Sequence, residues 1–265
     1  LILTHYTTGK KLTYQCGQLI AELFSRKHTI QKKGVIDLVT EADLLCEKTF
    51  IESIKKTYPG HAILSEECGS VEGDADHLWI IDPIDGTTNF ARKLPYFCIS
   101  VGFAYQQEIQ FGFVYAPIIN AFYSAERGKG AFLNDEPIHV TDQPDLKSSF
   151  LTTGFPYNIR EKNSCDNMNL FSHFSKNSLA VRRLGSAAID LCYVACGIFD
   201  GYWEIKLHPW DFVAGKVILE EAGGEITDFD GNPLSIQDSE ILATNSKIHA
   251  IMLKDINNTH GKKID

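Results

Sequence analysis

No apolar run in this chain approaches the roughly 18 residues that a membrane-spanning helix needs, so an integral helical membrane protein is excluded. No C-x-x-C pair occurs among the cysteines, and their number, seven, is odd. That scatter speaks against a disulfide framework and predicts seven reduced thiols, with Cys192 and Cys196 sharing one face of a helix. Leu1-Ile2-Leu3-Thr4-His5 lacks the basic, apolar and small-residue order of an export signal, so a cytoplasmic protein is expected. It also lacks an initiating methionine, so part of the natural N-terminus is expected to lie outside the sequence. Positive charge is in deficit, 25 basic against 34 acidic side chains and a net charge of −9, which disfavours a general nucleic-acid or anionic-membrane binder. The histidines show no metal-ligand spacing: His5, His28, His61 and His77 are dispersed and expected to be solvated. Repeats, low-complexity tracts and flexible linkers are absent as well.

What remains is an ordinary soluble composition, 265 residues with 44% apolar and 22% charged, enough for one large or two modest domains with a buried core. Cys16, Leu19, Ile20, Leu23 and Phe24 recur at helical spacing and predict a first helix ending near Lys27. A second helix is expected from Asp43 to about Tyr58, where Pro59-Gly60 breaks it. Ala62–Ser65 reads as a short strand delivering Glu66 and Glu67, and residues 69–76 as a polar loop. From Phe97 to Val140 consecutive β-like segments predict an antiparallel meander. Beyond about Ser148 strands alternate with helices: helix from Gly185 to Cys196, strand from Phe199 to Glu204, helix from Trp210 to Ala222, and a last strand at Glu240–Thr244 before a terminal helix. The division is therefore an α+β part over residues 1–145 and a smaller α/β part over 146–265.

The most informative segment is Asp82-Pro83-Ile84-Asp85-Gly86-Thr87-Thr88-Asn89-Phe90, directly behind the apolar run Leu78–Ile81. Proline after the first acid ends strand pairing, so both acids are expected on a turn at the carboxyl end of a buried strand. Asp-Pro-x-Asp-Gly is good turn chemistry in its own right. It is also a source of hard oxygen ligands for a divalent cation, beside a Gly-Thr turn whose N–H groups suit an anion. Further acids stand at the ends of other elements: Glu66 behind its strand, and Asp211 at a helix start, where an acid also offsets the helix dipole. Brought together, Glu66, Asp82, Asp85 and Asp211 carry more negative charge than a pocket tolerates, and two or more Mg²⁺ ions would neutralise it.

Residues 82–90 match the D-P-x-D-G-T-x-N-F signature of the inositol monophosphatase family, which this chain resembles. Trp210-Asp211-Phe212-Val213-Ala214-Gly215 is similar to that family's W-D-x-x-A-G signature, with Val213 in place of the usual alanine. Residues 37–43 resemble its D-x-V-T-x-x-D segment and Ser65-Glu66-Glu67 its acidic segment. Residues 182–188 and Tyr202-Trp203-Glu204 resemble the bacterial SuhB-type branch. The resemblance implies a layered α-β-α-β-α sugar-phosphatase fold with the cleft between its two parts. It implies a lithium-sensitive, magnesium-dependent phosphomonoesterase acting on myo-inositol 1-phosphate and related polyol phosphates, as a homodimer.

On the matching positions, Glu66, Asp82 and the Ile84 carbonyl would hold one Mg²⁺, and Asp82, Asp85 and Asp211 a second. A weaker third would lean on Glu66, with Lys32 nearby unless Lys32-Lys33 is a solvated loop. Thr87, paired with Asp43, would orient or deprotonate the attacking water, although Asp43 also suits an N-cap. Phosphate oxygens would meet the N–H groups of Gly86 and Thr87. Gly185, Ser186 and Ala187, with Asp85 and Glu204, would bind the alcohol's hydroxyls, unless Glu204 is a surface strand residue. Arg182 and Arg183 read as strand-edge charges, or in the SuhB-type branch as contacts for a dimer or for transcription machinery. His208 reads as loop packing or as a group touching the site, and with Lys206 it adds positive charge near the pocket. Rival substrates are fructose 1,6-bisphosphate, histidinol phosphate and a nucleotide 3′-phosphate; Thr88-Asn89-Phe90 speaks against the last, whose branch usually reads Lys-Glu-Phe. A rival of another class is a transcription-complex partner with incidental catalysis.

Overall fold

The computed structural model describes residues 2–26, 30–32, 38–156, 159 and 166–259, with side chains left out at 30–32 and 38–39. The expectations placed on Lys27, His28, Lys33, Asp37 and the side chain of Lys32 therefore lie outside the described residues.

In chain order the elements are α1 (Ile2–Phe24), β1 (Ile30–Lys32), β2 (Leu38–Thr40), α2 (Glu41–Thr57), β3 (His61–Ser65), β4 (Gly69–Val71), β5 (Asp74–Asp85), α3 (Thr87–Ala91), β6 (Cys98–Tyr105), β7 (Glu108–Ala116), β8 (Ala121–Glu126), β9 (Ala131–Leu133), β10 (Glu136–Pro137), β11 (Phe150–Thr153), α4 (Met168–Asn177), β12 (Ala180–Arg182), α5 (Ala187–Ala195), β13 (Gly201–Ile205), α6 (Pro209–Glu221), β14 (Glu225–Thr227), β15 (Glu240–Thr244) and α7 (His249–Thr259). An eight-stranded sheet runs β10-β9-β8-β7-β6-β5-β3-β4, and a five-stranded one β12-β11-β13-β15-β14. In the second, β11 pairs parallel with β12 and β13, while β15 is antiparallel to β13 and β14.

The layers follow from which faces are apolar. β5 is buried on both sides: Trp79 and Ile81 pack with Phe50 and Ile54 of α2 and with Leu12, Cys16 and Ile20 of α1, whereas Ile80 joins the core built by α5 and α6. α5 and α6 therefore lie between the sheets, and α4 and α7 cover the far face of the five-stranded sheet through Leu170, Phe174, Met252 and Ile256. The order is helices, sheet, helices, sheet, helices, the five layers anticipated from the sequence.

α6 comes unusually close to the larger sheet. Gly102 and Gly112 face each other across β6 and β7, and a Cβ on either would stand 2.6 Å from Val213 or from the Ala214 carbonyl. The bare backbone there sets the height of α6, and the Ser100 hydroxyl donates to the Trp210 carbonyl at 3.1 Å. Since Ser100 is the ladder partner of Asp82, this bond fixes the start of α6 over the acidic end of β5.

Several local expectations need correction. β5 does not stop at Asp82: it continues to Asp85 through a register shift between the two acids, opposite Ser100 and Cys98. Pro83 is tolerated because the irregular ladder asks no N–H of it. The polar stretch 69–76 is not a loop, since β4 and the start of β5 occupy it. The second helix is capped by Thr40, with Asp43 in its third position as the acid of a capping box rather than as N-cap. His5, His61 and His77 are not dispersed: their rings gather at 4.6–5.9 Å, His61 and His77 stacked, and His5 is 2% exposed. The six cysteines among the described residues are free thiols.

Candidate active site

The acidic end of β5 is assembled by strand register. β3 runs parallel to β5 with Ser65 beside Ile81, and the Glu66 N–H donates to the Ile81 carbonyl at 3.3 Å. Glu66 therefore falls next to Asp82. The turn that follows is held by Glu47, a 6% exposed acid on α2, which accepts from the N–H groups of Glu67 and Cys68 at 3.1 and 3.0 Å and from the Ser65 hydroxyl. Gly86, at φ +93°, turns the chain from β5 into α3, where a side chain would strike the carbonyls of Tyr96 and Gly185 at 3.0 and 3.2 Å. From the opposite side, α6 supplies Asp211 in its first turn and β13 supplies Glu204.

One pocket is lined by Glu66, Asp82, Ile84, Asp85, Gly86 and Thr87 from the larger sheet's side. Gly185, Ser186, Ala187, Glu204 and Asp211 line it from the other. Asp43 lies beneath, wholly buried, accepting the Thr40 N–H at 2.8 Å and the Thr87 hydroxyl at 3.2 Å. That hydroxyl also stands 2.9 Å from the Ile84 carbonyl, so its single proton has two acceptors to choose between.

Each acid has part of its carboxylate committed to protein. Asp82 Oδ1 accepts the Ile84 N–H at 3.0 Å. Asp85 Oδ2 accepts the Ser186 hydroxyl and the Ala188 N–H, both at 2.7 Å. Asp211 Oδ2 accepts the His208 N–H at 2.7 Å. Ser186 thus serves Asp85 and caps α5 while lining the pocket with Gly185 and Ala187. Tyr202 donates its hydroxyl to Glu204 Oε2 at 2.6 Å, and Gly154 leaves room for that carboxylate, since a Cβ there would stand 2.0–2.2 Å from it. Glu204 is accordingly a pocket residue rather than a surface one.

Burial, then mutual repulsion, controls the charge. Asp82 is pushed well above the ordinary carboxylate range by desolvation and then by the neighbouring charges of Glu66, Asp85 and Asp211. Asp211 is raised in the same way, first by burial and then by Asp85. Asp85 is raised by burial against the pull of its Ser186 and Ala188 bonds. Burial lifts Glu204 to about 7 although the Tyr202 bond and the Arg183 charge oppose it. Two buried aspartates and a half-buried third, repelling one another and all with hard oxygen donors, fit a divalent cation as the neutralising partner. Even so, among the described residues no three His, Cys, Asp or Glu side chains stand at ligand geometry to each other.

Arg182 and Arg183 separate. Both are exposed, but Arg182 lies over the Phe150 ring at 4.9 Å at the end of β12, whereas Arg183 follows the strand and lines the pocket. Lys206 and His208 also line it, His208 with its ring stacked on Trp210 at 4.8 Å. Sequence reasoning missed Gly154, Phe155 and Pro156, which wall the pocket behind β11, and Glu47. A Gly-x-Pro run behind a strand, and an acid on the apolar stripe Cys46–Phe50–Ile54, were the available signals.

A sequence model of the inositol monophosphatase family matches residues 4–260. An inositol-1-monophosphatase of Synechocystis sp. is 46% identical over 235 residues, covering 88% of this chain and 82% of its own. The Nus factor SuhB of Pseudomonas aeruginosa is 37% identical over 91% of each chain. Among solved structures, an inositol monophosphatase from Anabaena (Nostoc) sp. superposes with a TM-score of 0.88 at 38% identity, covering 97% of both chains.

Proposed function

The chain belongs to the inositol monophosphatase family, as a phosphomonoesterase of phosphorylated polyols, and from that premise we propose that it hydrolyses myo-inositol 1-phosphate with Mg²⁺ and is inhibited by Li⁺. The observation that carries the proposal is the convergence of Glu66 behind β3, Asp82 and Asp85 on β5, and Asp211 on α6 on a pocket walled by Gly185–Ala187 and Glu204. In this reading Glu66, Asp82 and the Ile84 carbonyl hold one cation, Asp82, Asp85 and Asp211 a second, and Glu66 with waters a weaker third. Bound there, the cations supply positive charge to the phosphate and acidify water.

The remaining steps belong to the protein. Thr87 Oγ1 accepts a proton from the attacking water as it gives its own to Asp43 Oδ1. Burial raises the Asp43 carboxyl, which makes it a better acceptor than an exposed aspartate. The N–H groups of Gly86 and Thr87 meet phosphate oxygens. Glu204 accepts from hydroxyls of the leaving alcohol, with the backbone of Gly185–Ala187 alongside and Arg183 near its carboxylate. The division near residue 145 belongs to the same proposal, with residues 1–145 supplying Glu66, Asp82 and Asp85 and residues 146–265 supplying Asp211 and the alcohol side. We place the protein in the cytoplasm as a homodimer on the same footing. Among the described residues, no helix is long and apolar enough to cross a membrane.

The test is phosphate release from inositol 1-phosphate, fructose 1,6-bisphosphate, histidinol phosphate and adenosine 3′,5′-bisphosphate, with and without Mg²⁺ and Li⁺. The inositol ester should be hydrolysed fastest, only with Mg²⁺, and less with Li⁺. Preference for another ester would reassign the substrate, and no Mg²⁺ dependence would end the metal assignment. A second reading, contact with transcription machinery, is favoured by similarity to the Nus factor SuhB and by the exposed Arg182 beside Arg183. Capture of RNA polymerase that survives Asp85→Asn and is lost in Arg182→Ala would support it; no capture would dismiss it.

A further inference from the structure

Asn89 lies in α3, two residues past Thr87, and is 8% exposed. Its amide nitrogen donates to the carbonyl oxygens of Tyr96 at 2.8 Å, Leu184 at 2.9 Å and Gly185 at 3.3 Å. Two amide protons serve three acceptors, so the Gly185 carbonyl shares one of them. Leu184 and Gly185 belong to the opposite wall of the cleft and stand directly before Ser186, which with Ala188 holds Asp85. Gly185 takes a φ of +91° that favours glycine, and a Cβ there would stand 2.5 Å from the Arg183 guanidinium.

A second tie runs beside the first. Tyr96, whose carbonyl receives Asn89, donates its own hydroxyl to Asp190 Oδ1 at 2.7 Å, in the first turn of α5. The turn at 184–188 is therefore joined to the acidic turn by the Asp85 carboxylate, the Asn89 amide and the Tyr96 hydroxyl.

We infer that Asn89 is a positioning residue: by donating to Leu184 and Gly185 it sets the separation at which the 184–188 turn orients Asp85 and faces the substrate's alcohol. The inference rests on the hydrolase reading above and adds a residue that touches neither cation nor substrate. The chemistry requires an amide. All three partners are acceptors, and a carboxylate of the same shape would set oxygen against oxygen.

Asn89→Ala, Asn89→Asp and Tyr96→Phe provide the test, with folding checked by circular dichroism and Mg²⁺ affinity measured by calorimetry beside KM for inositol 1-phosphate. Both Asn89 variants should weaken Mg²⁺ binding and raise KM by about tenfold, the change expected for loss of one or two buried hydrogen bonds, and Asp should be at least as damaging as Ala. Tyr96→Phe should shift both about threefold in the same direction. A residue that only fills space gives the reverse order: Asp close to wild type, and a lower melting temperature with Mg²⁺ affinity and KM unchanged. That result overturns the inference. Where neither Asn89 variant folds, Tyr96→Phe decides alone, and unchanged KM and Mg²⁺ affinity in it are equally fatal. Wild type that neither binds Mg²⁺ nor cleaves a phosphate ester removes the hydrolase reading, and the inference falls with it.

Discussion

Raising the pH from about 6 to about 8 should lower the wild-type KM for inositol 1-phosphate by about tenfold, through Glu204. Burial holds this carboxyl up to about 7, against the opposing Tyr202 hydrogen bond and Arg183 charge. A raised carboxyl stays protonated below that value and ionises above it. The ionised share thus climbs from about a tenth to about nine-tenths across the interval. Only the carboxylate has both oxygens available to accept from two vicinal hydroxyls, so affinity follows ionisation. The assay is initial rate against substrate concentration at fixed ionic strength and limiting Mg²⁺, run in parallel on Glu204→Gln. The variant should keep a KM near the wild type's low-pH value at every pH, apart from changes in the substrate's own phosphate that both proteins share. Raising Mg²⁺ to saturation should move the wild-type inflection downward, since nearby positive charge favours the carboxylate. Wild type and Glu204→Gln changing in step would refute the reasoning, because the titrating group would then lie elsewhere.

Asp82→Asn should lower kcat by several orders of magnitude and leave the metal-free melting temperature equal or higher, because a buried, repelled acid is replaced by a neutral amide. Near-normal turnover would defeat the site assignment. Gly154→Ala places a methyl group within about 2 Å of where Glu204 now stands, and its KM should rise severalfold with a loss of about 1–3 kcal/mol in urea unfolding. Gly17→Ala is the distant counterpart. A Cβ there meets the Tyr115 ring at 2.1 Å, so a similar loss of about 1–3 kcal/mol should appear with KM unchanged.

How much was legible beforehand follows from the range of each interaction. The segment from Asp82 to Phe90 announced itself because its chemistry is local: two acids, a proline, a glycine and hydroxyls in one short stretch. Periodicity, which reports which face is apolar, also gave most of the helices and strands, whereas the five-layer order came only with the family resemblance. Other features depend on partners far away in sequence. The ladder shift that keeps Asp85 inside β5 depends on Ser100 and Cys98, and nothing in residues 82–85 reveals it. Glu47 and Asn89 look like ordinary polar residues until β3 and the 184–185 turn arrive beside them. The neighbourhood of Ser186 in the sequence likewise cannot show that its hydroxyl donates to Asp85. The His5, His61 and His77 group is made by α1 packing against β3 and β5, a juxtaposition that spacing alone does not contain.

The central claim is that acids from separate segments share one pocket and resist ionising together until a cation joins them. Calorimetric titration of Mg²⁺ into the wild type and Asp82→Asn, near pH 6.5 and in buffers of different ionisation enthalpy, counts the protons released on binding. The wild type should bind Mg²⁺ and release protons, as the cation takes the place that protonation held, and Asp82→Asn should bind more weakly and release fewer. Binding without proton release, or the same release in both proteins, would contradict the account.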